Sequence, residues 1–146
     1  MNIISKVLGN ELMEHNVSPK EMHALNLAFL GDAIHSLYVR YALVNNADYK
    51  QKELQGITSS IVCAKNQAKA FDMILPNLTE DELNVAKRAR NAKTNNIAKN
   101  SSIEEYKKST AYEALIGYLY LIGDTNKMNE FLLLASKCAG KGDSIC

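Results

Sequence analysis

Leu27-Ala28-Phe29-Leu30-Gly31-Asp32-Ala33-Ile34 and Ala111-Tyr112-Glu113-Ala114-Leu115-Ile116-Gly117-Tyr118-Leu119 are two apolar helical runs that each carry one carboxylate. Burying a lone ionised carboxylate is costly, so such a residue is protonated, paired with a cation or bound to a metal. Two cases in one short chain suggest a shared cation. Each acid has a glycine close by: Gly31 precedes Asp32, and Gly117 lies four residues after Glu113, on the same helical face. Glycine inside a helix costs about 1 kcal/mol relative to alanine unless close packing requires it. The pattern predicts two helices in close contact that bring Asp32 and Glu113 around one Mg2+, a hard ion that prefers carboxylate and water oxygens, with Mn2+ as an alternative ion. The competing reading is a buried salt bridge to Lys65, Arg40 or a similar partner.

Outward from these runs, every segment reads as helix. Ile3, Ile4, Val7, Leu8, Leu12 and Met13 recur at helical steps and predict a short amphipathic helix ending near Asn16. Ser18-Pro19-Lys20-Glu21 has the form of a capping box and predicts a long helix from Pro19 to about Asn45, with Asp32 near its middle. Ile57 to Leu75 predicts a further helix, with Ile61, Val62, Ala64, Ala68, Phe71 and Leu75 inward and Pro76 as its stop. Thr79-Glu80-Asp81-Glu82 and Ser102-Ile103-Glu104-Glu105 are two more capping boxes, and Gly123 supplies a C-terminal stop for the helix that holds Glu113. A last helix is expected over about Lys127 to Lys137. Strand-like alternation, repeats and low-complexity tracts are absent from the sequence, so the fold class is all-α.

The chain has 146 residues, 47% of them hydrophobic, which suits one domain with its own core. Residues 1–137 are assigned to that domain and 138–146 to a flexible C-terminal tail. The formal net charge of +1 exerts no global pull on a polyanion, so any such site must come from local clustering. Cys63, Cys138 and Cys146 are too widely spaced for a zinc site or a disulfide framework. Neither a signal-peptide core nor an 18-residue apolar stretch is present, so the expectation is a cytoplasmic protein that does not enter a membrane.

Lys87 to Lys99 is the local cluster: Lys87, Arg88, Arg90, Lys93 and Lys99 occur without an acid, interleaved with Asn91, Asn95 and Asn96. Cations at a helix C-terminus complement its dipole, which is one explanation. Amides beside guanidinium groups also suit contacts to a phosphate-sugar backbone. His35 and Ser36 follow Asp32 by about one helical turn. A lone helical histidine is more often packed or solvated than ligating. Cys63 reads as a small core residue, and Tyr112, Tyr118 and Tyr120 as core or interface aromatics.

Phe29-Leu30-Gly31-Asp32-Ala33 resembles the signature helix of the ribonuclease III endonuclease domain, and Glu113-Ala114-Leu115-Ile116-Gly117 resembles that family's second catalytic helix. Val62-Cys63-Ala64-Lys65-Asn66-Gln67-Ala68 and Arg88-Ala89-Arg90-Asn91-Ala92-Lys93, followed by Lys99-Asn100, are similar to the mini-ribonuclease III branch, which lacks a double-stranded-RNA-binding domain. The resemblance covers 25–122. It implies an all-helical homodimer with Phe29 packing across the two-fold, and catalytic, metal-binding Asp32 and Glu113. It further implies Mg2+-dependent cleavage of double-stranded RNA to 5′-phosphate and 3′-hydroxyl ends. Lys65, Arg88, Arg90, Asn91, Lys93 and Lys99 are the implied RNA contacts, and paired ends of a large-subunit ribosomal RNA precursor the implied substrate. Full-length members of the family place further acids where Ala28 and Thr110 stand. The mini branch tends to have an aromatic residue and a glutamate at His35 and Ser36, and a proline at Ala98.

Three other functions fit parts of this pattern. A non-catalytic ribonuclease III-fold protein that binds structured RNA or assists ribosome assembly accommodates Ser36. An all-α metal-dependent phosphohydrolase acting on nucleotides would cluster several acids at short helical spacing, which is not seen around Asp32 or Glu113. A structural helical bundle requires both acids to be neutral or salt-bridged.

Overall fold

The computed structural model describes residues 17–93 and 102–139. Within them the chain forms α1 (Ala24–Asn46), α2 (Gln51–Ile61), α3 (Ala64–Ile74), α4 (Glu80–Asn91), α5 (Ile103–Ile122) and α6 (Thr125–Ala139), with short 3-10 turns at Pro19–Glu21 and Leu75–Asn77. No strand occurs among the described residues, and the all-α expectation holds. The expected helix before Asn16, and Asn95, Asn96, Ala98 and Lys99, lie outside the described residues.

Helix α5 is the axis of the fold. It packs against α1, α3, α4 and α6, and the run from Ser109 to Tyr120 is buried on every side except at Glu113. A helix apolar all round must be enclosed by others, which explains why α5 shows so little amphipathic periodicity. Tyr112 reaches across with its hydroxyl to donate to the Phe131 carbonyl in α6 at 3.1 Å. Tyr118 and Tyr120 are likewise core residues.

Glycines set the approach of α1 to α5. A Cβ added at Gly31 would stand 1.7 Å from the Glu113 carbonyl oxygen, and one added at Gly117 would stand 2.1 Å from the Leu27 carbonyl oxygen. The two backbones are therefore in direct contact at two reciprocal points. No other residue type fits either position without parting the helices.

The capping boxes at Thr79 and Ser102 form as expected, with reciprocal side-chain and backbone bonds of 3.0 to 3.2 Å. Gly123 closes α5 in the left-handed conformation at φ 81°. Glu82 also bonds the Lys127 ammonium at 2.7 Å, so the α4 cap doubles as a buried anchor for α6.

Three expected boundaries are corrected. Ser18 forms no side-chain cap; Pro19–Glu21 is a separate 3-10 turn, Met22 is extended, and His23 caps α1 by accepting from the Leu25 N–H at 3.2 Å. The helix expected over Ile57 to Leu75 is two helices broken at Val62 and Cys63, because the Asn66 side chain donates to the Ser60 and Ile61 carbonyls at 2.6 and 3.4 Å and captures the end of α2. Cys138, assigned to a loose tail, lies buried in the last turn of α6. Among the described residues no helix is long and apolar enough to cross a membrane.

Gly31→Ala is expected to lower the unfolding free energy by about 1–3 kcal/mol through overpacking. Gly56→Ala, where an added Cβ meets nothing within 4 Å, is expected to raise it by roughly 0.5–1 kcal/mol. Urea denaturation of both variants checks the contrast, and an unchanged midpoint for Gly31→Ala contradicts the backbone contact.

Candidate active site

Asp32 follows the Gly31 contact point on α1, and Glu113 supplies the carbonyl that Gly31 faces on α5. The crossing thus places both carboxyl groups at one spot. They stand on the wall of an open cleft of about 350 Å3, lined also by Ala28, Phe29, Ala64, Gln67, Ser109 and Thr110.

The expectation that both acids are buried needs correction. Asp32 is exposed and Glu113 is only half-buried. The apolar neighbours of Asp32 divide between the core and the outer face: Leu27, Ala28 and Ile34 are buried, whereas Phe29 and Ala33 are not. Hydrophobic flanks therefore did not imply a hydrophobic surrounding. The salt-bridge alternative also fails among the described residues, whose ion pairs are Arg90–Glu104, Lys108–Asp72 and Lys127–Glu82.

With no cation beside it, Glu113 has its pKa raised from the ordinary 4.5 to about 9. Burial is the main cause, followed by the hydrogen bond with Asp32 and its charge, while a hydrogen bond from Gln67 works in the opposite direction. Glu113 accordingly holds a proton at neutral pH. Its place beside a second carboxylate is one that suits a divalent cation. Among the described residues no group of three or more histidine, cysteine or carboxylate side chains is arranged to hold a metal. Asp32 and Glu113 are the acids that line the cleft. At the positions where full-length ribonuclease III enzymes carry acids, Ala28 offers no ligand and Thr110 turns its hydroxyl to the Tyr106 carbonyl at 3.0 Å.

The basic residues are distributed unevenly. Arg88 is engaged within the fold, donating to the Lys20 and Met22 carbonyls at 2.6 and 2.8 Å and to Asn84 at 3.0 Å. Arg90 pairs with Glu104 at 3.0 Å and lies 5.9 Å from the Phe71 ring centroid. Asn91 and Lys93 are exposed at the end of α4, and Asn91 shares a shallow second cleft with His23 and Lys87. Lys65 is partly exposed in the first turn of α3, beside the cleft residues Ala64 and Gln67. Lys99 is outside the described residues. Phe29 is 71% exposed at the cleft edge, and Leu37, Tyr41 and Val44 continue an exposed apolar stripe along α1.

Sequence reasoning missed Gln67 and Ser109. Both are buried, and Ser109 donates to the Gln67 amide oxygen at 2.5 Å. Ser109 stands four residues before Glu113, a spacing that could have marked it. Gln67 lay inside a noted motif but carried no charge to single it out.

A Ribonuclease III domain model matches residues 25–124, spanning both carboxylates, and the chain belongs to the ribonuclease III family of endoribonucleases. Within that family it is similar to proteins named Mini-ribonuclease 3. That of Brevibacillus brevis is 46% identical over 114 residues, covering 78% of this chain and 85% of that protein. That of Desulfitobacterium hafniense is 39% identical over 132 residues, covering 86% and 83% respectively. A crystal structure of a Fusobacterium nucleatum protein superimposes with a TM-score of 0.73 at 32% identity, covering 80% of this chain and 93% of that one.

The raised pKa of Glu113 has a signed consequence. Its neutral form is favoured in the fold, so its contribution to stability is fully present below pH 4.5 and is lost as pH rises towards 9. Cation-free wild-type protein should therefore lose melting temperature relative to Glu113→Gln between pH 5 and pH 9. Parallel melting profiles for the two proteins contradict the retained proton.

Proposed function

We propose that this protein is a Mg2+-dependent endoribonuclease that cleaves double-stranded RNA as a homodimer, acting on paired ends of a large-subunit ribosomal RNA precursor. The observation that carries the reading is the pair of carboxyl groups brought together at the α1–α5 crossing, on the wall of an open cleft, in a chain of the ribonuclease III family. Its similarity to proteins named Mini-ribonuclease 3 supports a nuclease. The ribosomal substrate rests on that resemblance.

Asp32 and Glu113 would hold the divalent cation. When bound, such an ion supplies activation of water and neutralisation of charge on the phosphodiester during in-line attack. The chain's own part is positional. The Gly31 and Gly117 contacts fix the backbone positions from which the two carboxylates extend, and Gln67 lines the cleft beside Glu113. Hydrolysis leaves a 5′-phosphate and a 3′-hydroxyl.

Lys65, Asn91 and Lys93 would contact the RNA backbone, with Lys99 extending that surface. Arg88 and Arg90 would act chiefly by holding α4 in place, given their partners within the fold. A-form RNA keeps its base edges in a deep groove, so recognition rests on shape, phosphates and 2′-hydroxyls. The exposed Phe29 ring, with Leu37 and Tyr41 on the same helix, supports a dimer built on α1.

A second reading, a ribonuclease III-fold protein of low or no activity that binds structured RNA, is favoured by one observation. Only two carboxylates converge at the site, without a third metal-ligating side chain among the described residues.

Asp32→Asn and Glu113→Gln are each expected to reduce Mg2+-dependent cleavage of a long duplex RNA at least 1,000-fold, an order expected for loss of the cation's contribution. Fold and duplex affinity should be retained. Equal cleavage by the wild type and both variants contradicts the site. Salt-sensitive duplex binding by a wild type that cleaves with neither Mg2+ nor Mn2+ selects the second reading.

A further inference from the structure

His35 is completely buried on α1, one helical turn beyond Asp32, and does not line the cleft. It is therefore not placed as a ligand. Its Nδ1 lies 3.0 Å from the Gln67 side-chain nitrogen, and its ring meets the edge of Tyr112 with centroids 5.5 Å apart. Its Nε2 is buried with no hydrogen-bond partner among the described residues. Burial lowers its pKa to about 4, against the opposing charge of Asp32, so the imidazole is neutral near pH 7 with one donor and one acceptor nitrogen.

A histidine here is a poor choice for stability alone. A phenylalanine would fill similar space against Tyr112 without leaving a buried nitrogen unpartnered. What histidine supplies is the acceptor at Nδ1. The Gln67 amide oxygen is occupied by the Ser109 hydroxyl at 2.5 Å, so the amide nitrogen faces His35 and donates to Nδ1. That nitrogen has a second proton, and Gln67 lines the same cleft as Glu113, whose charged form it favours. Side chains of α1, α3 and α5 thus fix the direction of one amide.

We propose that His35 and Gln67 are positioning residues for the metal-binding carboxylate: His35 locks the Gln67 amide, whose remaining N–H holds Glu113 turned towards Asp32. The proposal rests on the cation-binding reading of Asp32 and Glu113 given above. It also gives a role to Ser109, which fixes the other end of the same amide. Hydrogen-bond partners behind a metal ligand commonly govern affinity by 10–100-fold, because they hold the ligand in its bound orientation before the ion arrives.

The test is Mn2+ affinity of the full-length, RNA-free protein, followed by electron paramagnetic resonance, for wild type, His35→Phe, His35→Asn and Gln67→Met. His35→Phe and Gln67→Met should each weaken Mn2+ binding by about tenfold or more, with duplex RNA affinity in the absence of divalent ions unchanged. His35→Asn places an amide oxygen near the Nδ1 position and should recover most of the loss. Wild-type Mn2+ affinity in folded Gln67→Met, or a folded His35→Asn as weak as His35→Phe, overturns the proposal. If His35→Phe does not fold, Gln67→Met decides alone. A wild type that binds Mn2+ with this variant pattern yet cleaves no duplex refutes the nuclease reading and leaves the positioning pair standing. Cleavage that depends on Asp32, with Mn2+ affinity unmoved by Gln67→Met, refutes only the positioning pair.

Discussion

Two helices in this protein touch backbone to backbone, and the site depends on that contact. Gly31 faces the Glu113 carbonyl and Gly117 faces the Leu27 carbonyl, so each helix contributes one glycine and one carbonyl to a reciprocal pair. The residues next to these contact points inherit their position: Asp32 follows Gly31, and Glu113 is itself a contact residue. A carboxylate pair could be assembled from longer side chains on more distant helices. Here the main chain fixes where both side chains start, and the surrounding helices α3, α4 and α6 enclose α5 so that it cannot retreat.

That rigidity has an electrostatic consequence. Burial between the helices disfavours the charged form of Glu113, and the neighbouring Asp32 adds to that cost, so Glu113 retains its proton at neutral pH. The open side of the cleft at Asp32 would give an ion and its water access, while Gln67 and Ser109 line the side nearer the core. The proposed ligand set is lean, because Ala28 and Thr110 add no carboxylate. A site with few charged ligands relies more heavily on the orientation of those it has.

Most local signals in the sequence hold in the fold, whereas contacts between helices show in the sequence only where glycine marks them. Thr79, Ser102 and Gly123 act within a few residues of themselves, and their caps follow directly from residue type. The glycines near Asp32 and Glu113 disclosed the helix contact because glycine in a helix has a cost that only close packing offsets. The break at Val62 and Cys63 was hidden because apolar periodicity runs through it; the agent is Asn66, which reaches back across the break. Ser18 gave a false cap because Arg88, 68 residues from Lys20, takes the Lys20 and Met22 carbonyls and holds that segment apart from α1. The exposure of Asp32 and the link from His35 to Glu113 depend on which faces three helices present to one another. No spacing within a single helix encodes that.

The α1–α5 crossing is proposed to build a divalent-cation site from Asp32 and Glu113. A crystal grown in Mn2+ and measured for anomalous scattering should show a peak within coordinating distance of both carboxylates, with water completing the shell. Well-ordered carboxylates at saturating Mn2+ without a peak between them would rule that site out.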